Sequence, residues 1–557
     1  MEVNRNEVKA GKLKNRFTVH SNITERRLPA FLVLLVFSSL LFLGGLGRRH
    51  LWEADEPRVA GIAADMARSG DFVVPRLNGT PFLEKPPLFF WAEAAAFRIF
   101  GESTYAARLV PALSAIGCVI VLFFLALQMN MSVRGAFLSA FVLATSAEFW
   151  HLGRNNLIDM TLCFFITASM ACFYKLIQSK SGRIFWYVAF VLSLSCAILS
   201  KGLVGLVIPL SAFVIWLAAE KDFSLPSWSF LITGTVLSFV PVSIWILLLY
   251  NNLGQEAVYR AVWLNNFGRF TGGFPQHVAP FYYYLDKFPG QFMPWTFFLP
   301  IAGWLLIREA RKREKSNPSL FILTWFVIPF ILLSISAGKR SLYLIPIYPA
   351  AALAVGYVAD WTLNCNEKPS TWFEIPASIL AGIAVVTPLV FLGIRFYYHQ
   401  PFVTSVLLAI LGSGLGLYSF LFFYKKDLNN FFQMLAPSFL VIFLTFDMAV
   451  TPIFNEKESF EPLFKYAGKL KSEGVQLCLL QPAERLDGAA VFYLKQRVTR
   501  FNDFETAHEF MLKTDKIMII SRKEIVEKFP DIHIIEDFNI GEDTIVIFTD
   551  KKLAKGN

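Results

Sequence analysis

Residues 109–127 read LVPALSAIGCVIVLFFLAL, an apolar run without a single charged side chain. As a helix, such a run reaches across about 30 Å, the thickness of the hydrocarbon core of a bilayer. Similar runs recur along the 557 residues, of which 55% are hydrophobic and 17% charged. This composition excludes a disordered chain and argues against an ordinary soluble enzyme. We therefore predict a polytopic membrane protein.

Thirteen apolar runs predict about thirteen transmembrane helices and an all-α membrane fold. They lie at residues 28–47, 109–127, 135–150, 158–177, 185–199, 203–219, 230–250, 295–307, 320–336, 342–358, 375–395, 403–424 and 431–450. The first run is not expected to be a cleaved signal peptide, because a polar leader of 27 residues precedes it. We predict a basic tail over residues 1–27 and a transmembrane catalytic domain over residues 28–450.

Charge is distributed unevenly between the two parts of the chain. Residues 1–450 carry 36 Lys and Arg against 24 Asp and Glu, whereas residues 451–557 carry 16 against 18. In a membrane protein a basic excess indicates cytoplasmic loops and contacts with anionic lipid or phosphate, so no nucleic acid partner is expected. The basic tail predicts a cytoplasmic N-terminus. Alternate threading then places Arg308, Arg311 and Lys312 inside as well.

An odd number of spans leaves residues 451–557 outside the cytoplasm. This region alternates polar helical stretches with β-like runs, which predicts a small α/β domain in the periplasm. The β-like runs are Gln476 to Leu480, Lys516 to Ile520 and Thr544 to Phe548.

Two further outside segments, residues 48–108 and 251–294, are too long to be simple connectors and are expected to be functional. The first contains helix-like stretches at Glu56 to Arg68 and Pro87 to Phe100, whose aromatic faces suit helices lying at the membrane interface.

The strong polar clusters all fall on this outer side. Any one of these residues is explained by a solvated loop, a helix cap or a cation that reaches the interface. Together they suit a phosphate-bearing ligand held by cations, with carboxylates kept for catalysis or for a metal. The candidates are Asp55, Arg58, Glu84, Lys85, His151, Arg154, Asp159, Lys201, Arg269, His277, Lys339, Arg340 and Tyr343.

Sugar transfer at a membrane surface needs such a set of side chains. The chain has no GxGxxG or P-loop motif, so no nucleotide cofactor is expected, and a donor outside the cytoplasm must be a lipid-linked sugar. Its leaving group is a lipid phosphate, whose charge requires Arg, Lys or a divalent cation. A carboxylate can stabilise the oxocarbenium-like state or deprotonate a hydroxyl acceptor. Glu84 and His277 could hold one divalent metal ion.

Five motifs resemble those of the aminoarabinose transferases of lipid A, within the C-type glycosyltransferases that include the protein mannosyltransferases. They are DEPR at 55–58, FLEKPP at 82–87, LSKG at 199–202, HVAPFYY at 277–283 and KRSLYLIP at 339–346. The resemblance extends over nearly the whole chain and implies the C-type glycosyltransferase fold. It also implies transfer of 4-amino-4-deoxy-L-arabinose from undecaprenyl phosphate to lipid A phosphates in the bacterial inner membrane, which confers polymyxin resistance.

The resemblance also implies roles for individual residues. Asp55 would be the leading catalytic carboxylate and Asp159 a second essential acid. Glu84 and His277 would correspond to a metal site. Arg58, Lys85, Lys201 and Arg269 would bind the phosphate of the donor or acceptor, and Tyr343 would line the donor cavity. Apart from the resemblance, Lys339 and Arg340 are predicted to bind substrate because they are cations on the same outer face. An acceptor phosphate is already ionised at neutral pH, so Asp55 need not be a strong base.

One departure from the family pattern concerns the residues after Arg58. Relatives often read Arg-Tyr-Ala-Glu here, whereas this chain has Arg58-Val59-Ala60-Gly61. The sugar and the acceptor therefore stay open, and so does an inverting or retaining outcome. The alternatives are transfer to protein Ser/Thr or to another glycan or lipid, a lipid or sugar transporter, and a non-catalytic scaffold. A transporter is disfavoured because the chain lacks an internal repeat and its charges gather at one surface.

Overall fold

The computed structural model describes residues 23–52, 55–268, 278–312, 317–364, 371–398, 403–514, 516–529 and 531–550. Residues 23–458 of this part are mostly helical. Their α-helices are α1 (Ile23–Leu43), α2 (Glu56–Ser69), α3 (Leu88–Phe100), α4 (Thr104–Gln128), α5 (Val133–Thr145), α6 (Ala147–Gly153), α7 (Ile158–Gln178), α8 (Arg183–Lys201), α9 (Val204–Ala219), α10 (Leu225–Leu253), α11 (Gln255–Val258), α12 (Tyr283–Gln291), α13 (Leu299–Ala310), α14 (Pro318–Ile335), α15 (Tyr348–Asn364), α16 (Thr371–Tyr397), α17 (Val403–Tyr424) and α18 (Leu428–Glu458).

Nine helical segments of the described ranges are long and apolar enough to cross a membrane, and a bent pair could make a tenth. The bent pair joins α12 to Trp295–Ala310 at an angle of 109°. Three shorter apolar helices lie at Arg27–Leu43, Val133–Thr145 and Val204–Ala219. Each of the thirteen predicted runs falls on one of these segments. The predicted multi-pass α-helical membrane fold is confirmed.

Large apolar side chains cover the outside of several long helices. Val236 on α10 is 64% exposed and Leu407 on α17 is 63% exposed, as suits helices that face lipid. Aromatic side chains fill part of the interior of the bundle, among them Trp216, Trp295 and Trp325, which are almost fully buried. The long segments thus have the buried and lipid-facing sides that a membrane bundle requires.

The third predicted span is shorter than expected. The run 135–150 predicted one continuous helix, but α5 ends at Thr145 and α6 starts at Ala147. Ser146 between them is extended, with a ψ of 135°, and the amide of Ala147 donates to the Met293 carbonyl at 2.9 Å. The break is therefore fixed by a tertiary hydrogen bond to the corner of the bent pair, which hydropathy alone does not encode.

Both helices predicted in the first long loop are present as α2 and α3. Between them lies a short antiparallel hairpin whose strands have two residues each, β1 (Arg76–Leu77) and β2 (Thr80–Pro81). Pro57 stands in the first turn of α2, where its missing amide hydrogen costs nothing.

The C-terminal region forms the predicted α/β domain. Its elements are α19 (Glu461–Ser472), β3 (Gln476–Leu480), α20 (Glu484–Leu494), β4 (Thr499–Phe501), α21 (Phe504–Lys513), β5 (Ile517–Arg522), α22 (Lys523–Val526), β6 (Ile532–Ile540) and β7 (Asp543–Asp550). The strand order is β4-β3-β5-β7-β6, with the first three strands parallel and the last two antiparallel to their neighbours. The three predicted β-like runs fall on β3, β5 and β7. Helix α20 packs on α2, so this domain rests directly on the first long loop.

Candidate active site

Ends of several helices meet around one polar cavity. Asp55 immediately precedes α2, Asp159 lies in the first turn of α7, and Arg340 precedes a 3-10 segment at Ser341–Ile347. Lys201 is the last residue of α8, and Gly202 after it has a φ of 73° that favours glycine as the helix stop. The LSKG motif is thus explained as a helix end that delivers a lysine to this cavity.

The cavity has a volume of about 120 Å³. Eight of the eleven residues predicted as catalytic, substrate-binding or metal-binding line it, together with three apolar residues. The lining is Asp55, Arg58, Val59, Glu84, Lys85, Leu157, Ile158, Asp159, Lys201, Arg340 and Tyr343. Four cations therefore face three carboxylates, an excess of positive charge that favours an anionic ligand such as a phosphate.

Asp55 is held between two arginines. Nη2 of Arg58 donates to its Oδ1 at 2.5 Å, and Nη1 of Arg340 donates to its Oδ2 at 2.8 Å. Burial raises the pKa of Asp55, but the lowering effect of nearby cations, chiefly Arg58 and Arg340, is larger in total. The pKa of Asp55 therefore lies below its usual value. Asp55 is therefore an oriented carboxylate anion and a weak base.

The second carboxylate has its own cation. Nζ of Lys201 donates to Oδ1 of Asp159, and the same ammonium lies 4.3 Å from the centroid of the Tyr343 ring. The negative charge of Asp159 is also stabilised by the helix dipole, because the residue lies in the first turn of α7. Lys201, Asp159 and Tyr343 thus form a second polar cluster in the lining, beside that of Asp55 and its arginines.

Three predicted site residues are not found in the lining. Arg269 and His277 lie outside the described residues. Lys339 is buried, and its Nζ donates to the carbonyls of Ala279 at 2.8 Å and Ser336 at 2.5 Å. These bonds fasten two backbone segments beside Arg340. The structure thus shows Lys339 in contact with the backbone, and its contact with substrate stays a prediction.

Two other polar residues singled out on the outer side, His151 and Arg154, belong to a different cavity of about 260 Å³. Arg154 pairs there with Asp447 at 3.0 Å. Aromatic rings form much of that wall, with Trp52 stacked on Phe454 at 5.0 Å between centroids.

A buried ion-pair network lies next to the cavity and holds two segments of its lining. Glu56 follows Asp55 directly and is fully buried between Arg108 and Arg49. Its Oε1 also accepts the backbone amide of Asn156, just before the Ile158 and Asp159 that line the cavity. The resemblance motifs include Glu56 without indicating this role, because its partner Arg108 lies 52 residues away.

Metal ligation by Glu84 and His277 stays a prediction. Within the described residues no group of three or more His, Cys, Asp or Glu side chains could hold a metal ion. Glu84 lines a cavity with four cations, which accounts for a carboxylate there without an ion. The described donors therefore do not make a metal site on their own, and we assign no chemical step to a metal.

The sequence profile of the family described as dolichyl-phosphate-mannose-protein mannosyltransferase matches residues 29–256. The chain is also similar to two enzymes named undecaprenyl phosphate-alpha-4-amino-4-deoxy-L-arabinose arabinosyl transferase. The one from Edwardsiella ictaluri is 30% identical over 60% of this chain and 61% of its own length. The second, numbered 2 and from Proteus mirabilis, is 29% identical over 64% of each chain. The chain thus spans less than two thirds of either relative.

Among solved structures, the chain is similar to ArnT from Cupriavidus metallidurans bound to undecaprenyl phosphate. The two share a TM-score of 0.73 at 20% sequence identity, over 94% of this chain and 98% of the other. The same protein without ligand gives a TM-score of 0.72. This likeness confirms the predicted fold, a bundle of transmembrane helices with a small C-terminal α/β domain.

Proposed function

We propose, on the premise that this chain is a relative of the aminoarabinosyl transferases within the protein mannosyltransferase superfamily, that it is a membrane glycosyltransferase with a polyprenyl-phosphate sugar donor. The observation that carries the proposal is the cavity in which Asp55 and Asp159 are each held by cations, with four cations in total facing three carboxylates. This arrangement combines an anion site with oriented carboxylates, the two requirements of transfer from a lipid phosphate.

The reaction that fits best transfers 4-amino-4-deoxy-L-arabinose from undecaprenyl phosphate to a phosphate of lipid A. An acceptor phosphate oxygen forms a bond to the anomeric carbon, and the bond from that carbon to the donor phosphate oxygen breaks. The electron pair leaves with undecaprenyl phosphate, which gains the negative charge that the acceptor loses. Cations of the cavity stabilise the leaving phosphate, and Asp55 stabilises positive charge developing on the sugar.

The state of Asp55 supports a phosphate acceptor over a hydroxyl acceptor. A hydroxyl must lose a proton during transfer, so it requires a general base with a pKa near the operating pH. The pKa of Asp55 is instead lowered, because the two arginines outweigh the effect of burial. An acceptor phosphate is largely ionised at neutral pH and needs no base.

Transfer to protein Ser/Thr is a second candidate, favoured by the match of residues 29–256 to the protein mannosyltransferase profile. For that reaction another group would have to take the hydroxyl proton. Asp159 is the remaining aspartate in the lining, but it is bonded to Lys201.

We further propose that the protein lies in the bacterial inner membrane in a defined orientation. The basic tail and the basic stretch that starts at Arg308 would face the cytoplasm of a bacterium, and the cavity and residues 451–557 would face the periplasm. Both proposed substrates would then reach the cavity from the periplasmic leaflet.

Mass spectrometry of lipid A tests the proposal. The host is a Gram-negative strain that makes the lipid-linked aminoarabinose donor but lacks its own transferase. Expression of the wild-type chain should add one aminopentose to lipid A, and Asp55→Asn should abolish the addition while the protein remains in the membrane. Asp286→Asn is the matched control, because that carboxylate is 66% exposed and outside the lining. Unmodified lipid A with sugar on periplasmic protein would support the second candidate.

A further inference from the structure

The C-terminal domain touches the helix that carries the site with almost no space between the two backbones. A methyl group built on Gly488 of α20 would lie 2.4 Å from the Pro57 carbonyl oxygen and 2.5 Å from Cα of Arg58. A methyl group built on Gly61 of α2 would lie 2.6 Å from Cα of Gly488. Glycine at both positions permits this approach. The unusual Gly61 of this chain is therefore matched by Gly488 across the contact.

Several polar contacts fix the same interface. Asn78 donates to Oδ1 of Asp487 at 2.6 Å and to the Val498 carbonyl at 2.8 Å, and it accepts the Val498 amide at 2.8 Å. Arg497 donates to both carboxylate oxygens of Asp65 on α2, at 2.8 and 3.1 Å. The domain is thus held by contacts independent of the cavity, and loss of one surface ion pair should not detach it.

One ion pair crosses from this domain into the cavity. Arg58 donates through Nη2 to Asp55 and through Nη1 to Oε2 of Glu484, each at 2.5 Å. The guanidinium also lies 5.5 Å from the centroid of the Phe82 ring. Glu484 is 52% exposed and Arg58 is 19% exposed, so the carboxylate approaches the arginine from the solvent side. The guanidinium is fixed at its inner end by Asp55 and at its outer end by Glu484.

We propose that Glu484 is a positioning residue for the transfer reaction, and that the C-terminal domain thereby completes the active site. Glu484 fixes the plane of the Arg58 guanidinium, and Arg58 in turn orients the Asp55 carboxylate toward the reacting sugar. Because an arginine with a single carboxylate partner can rotate about its long side chain, the second partner at the outer end is what fixes its direction. This inference rests on the proposed function of the same cavity.

A purely structural role for Glu484 makes a different prediction. Glu484 is the first residue of α20, where an acidic side chain stabilises a helix through its dipole whatever else it contacts. Removing it would then lower stability without a specific effect on turnover. The two roles separate if the consequence of changing Glu484 depends on Arg58.

The experiment is a double-mutant cycle with purified protein, a lipid-linked aminoarabinose donor and lipid A. Glu484→Ala should lower kcat about fivefold, a modest loss because the pair is half exposed, and should change the donor KM by less than about twofold. Glu484→Gln, which keeps an acceptor oxygen, should retain about half of the wild-type kcat. In the Arg58→Lys background, Glu484→Ala should have an effect of less than about twofold, because lysine lacks the second donor arm.

Asp543→Asn is the matched control. It removes the carboxylate partner of Arg485 in the same domain without touching Arg58, and kcat should stay at the wild-type value. An unchanged kcat in Glu484→Ala, or the same decrease in both Arg58 backgrounds, would overturn the proposal. A wild-type chain that transfers no sugar would overturn the proposed function instead.

A structural measurement tests the positioning role independently of transfer. Experimental structures of the wild type and of Glu484→Ala should show a longer distance between the Arg58 guanidinium and the Asp55 carboxylate in the variant, while Gly61 and Gly488 stay packed together. If Arg58 keeps its direction and its hydrogen bond to Asp55 in the variant, Glu484 does not position it.

Discussion

Arg108 binds both carboxylate oxygens of Glu56, with Nε 2.9 Å from Oε1 and Nη2 2.9 Å from Oε2, and neither side chain is exposed to solvent. Arg108 also donates to the carbonyls of Arg49 and His50 in the segment that leads to the site. This pair joins the start of α4 to the start of α2. It fixes the residue next to Asp55, so the position of the Asp55 carboxylate depends on it.

We predict that Glu56→Gln destabilises the protein by about 3–5 kcal/mol, because it leaves the buried guanidinium of Arg108 without its counter-charge. Burial raises the pKa of Glu56, but Arg108, Arg49 and the Asn156 amide together outweigh it and lower the pKa to about 2, so the carboxylate is ionised in the folded protein. Its stabilisation is fully present above the ordinary glutamate pKa of 4.5 and is lost as pH falls through the lower pKa of the folded state. Thermal inactivation in detergent measures the difference between wild type and variant.

Glu93→Gln is the matched control for that substitution. Glu93 is equally buried, but burial raises its pKa well above the usual range, and its partner is the neutral side chain of Asn156. Burial therefore favours the protonated, uncharged form of Glu93, which a glutamine side chain resembles. We expect Glu93→Gln to be as stable as the wild type or more stable at pH 8. A loss of stability equal to that of Glu56→Gln would contradict this assignment of charge.

A pH profile tests the role of Arg340. Arg340 lowers the pKa of Asp55, so the wild-type carboxylate stays ionised down to a pH below 3.8. Removing the guanidinium in Arg340→Ala takes away one of the cations that oppose the effect of burial, so the pKa of Asp55 rises. The acid limb of kcat/KM should therefore move to higher pH in the variant. The second ionisation of an acceptor phosphate, near pH 6, affects both proteins equally. Coincident profiles would rule out a charge effect of Arg340 on Asp55.

The close contact of the C-terminal domain predicts a steric effect. Gly488→Ala places a methyl group against backbone atoms of Pro57 and Arg58, which cannot move as a flexible side chain could. We expect a loss of about 1–3 kcal/mol in stability. The transfer rate should also fall, because the backbone of Arg58 is displaced. Gly468→Ala on α19 of the same domain meets nothing within 4 Å and should be neutral or slightly stabilising. Melting temperature and transfer rate, measured together, distinguish the two variants.

Hydropathy predicted the membrane helices well, because each helix is encoded by an apolar run in its own stretch of sequence. Each of the thirteen runs falls on a helix, and Gln476–Leu480 is a strand with the predicted bounds. Strands β4 and β6 were not predicted. Strand β4 has only three residues, and a bulge between Ile534 and Glu536 in β6 interrupts the alternation that identifies a strand. The break at Ser146 was missed because its cause is a contact with Met293, far along the chain.

The residues of the cavity could be predicted from two signals, the family-like motifs and the polar residues at the outer ends of the predicted spans. Asp55, Glu84, Asp159 and Arg340 came from four separate segments, and the structure brings them to one lining. Glu484 could not be found in this way, since it lies 426 residues from Arg58 in a domain without a motif. Its place follows from the docking of α20 on α2, which only tertiary structure reveals.

Two lysines that were both predicted to bind substrate lie in different surroundings in the structure. A pair of variants tests whether their roles differ as well. Lys201 bonds Asp159 inside the cavity, whereas Lys339 bonds the carbonyls of Ala279 and Ser336 outside the lining. Lys201→Met should lower kcat/KM by about a hundredfold or more, because it removes a cation from the leaving phosphate and leaves Asp159 unpaired. Lys339→Met should lower stability by about 1–3 kcal/mol, since two partly buried carbonyl oxygens lose their hydrogen-bond donor, while the KM for the sugar donor stays unchanged. A raised donor KM in Lys339→Met at wild-type stability would instead place that lysine in contact with the substrate.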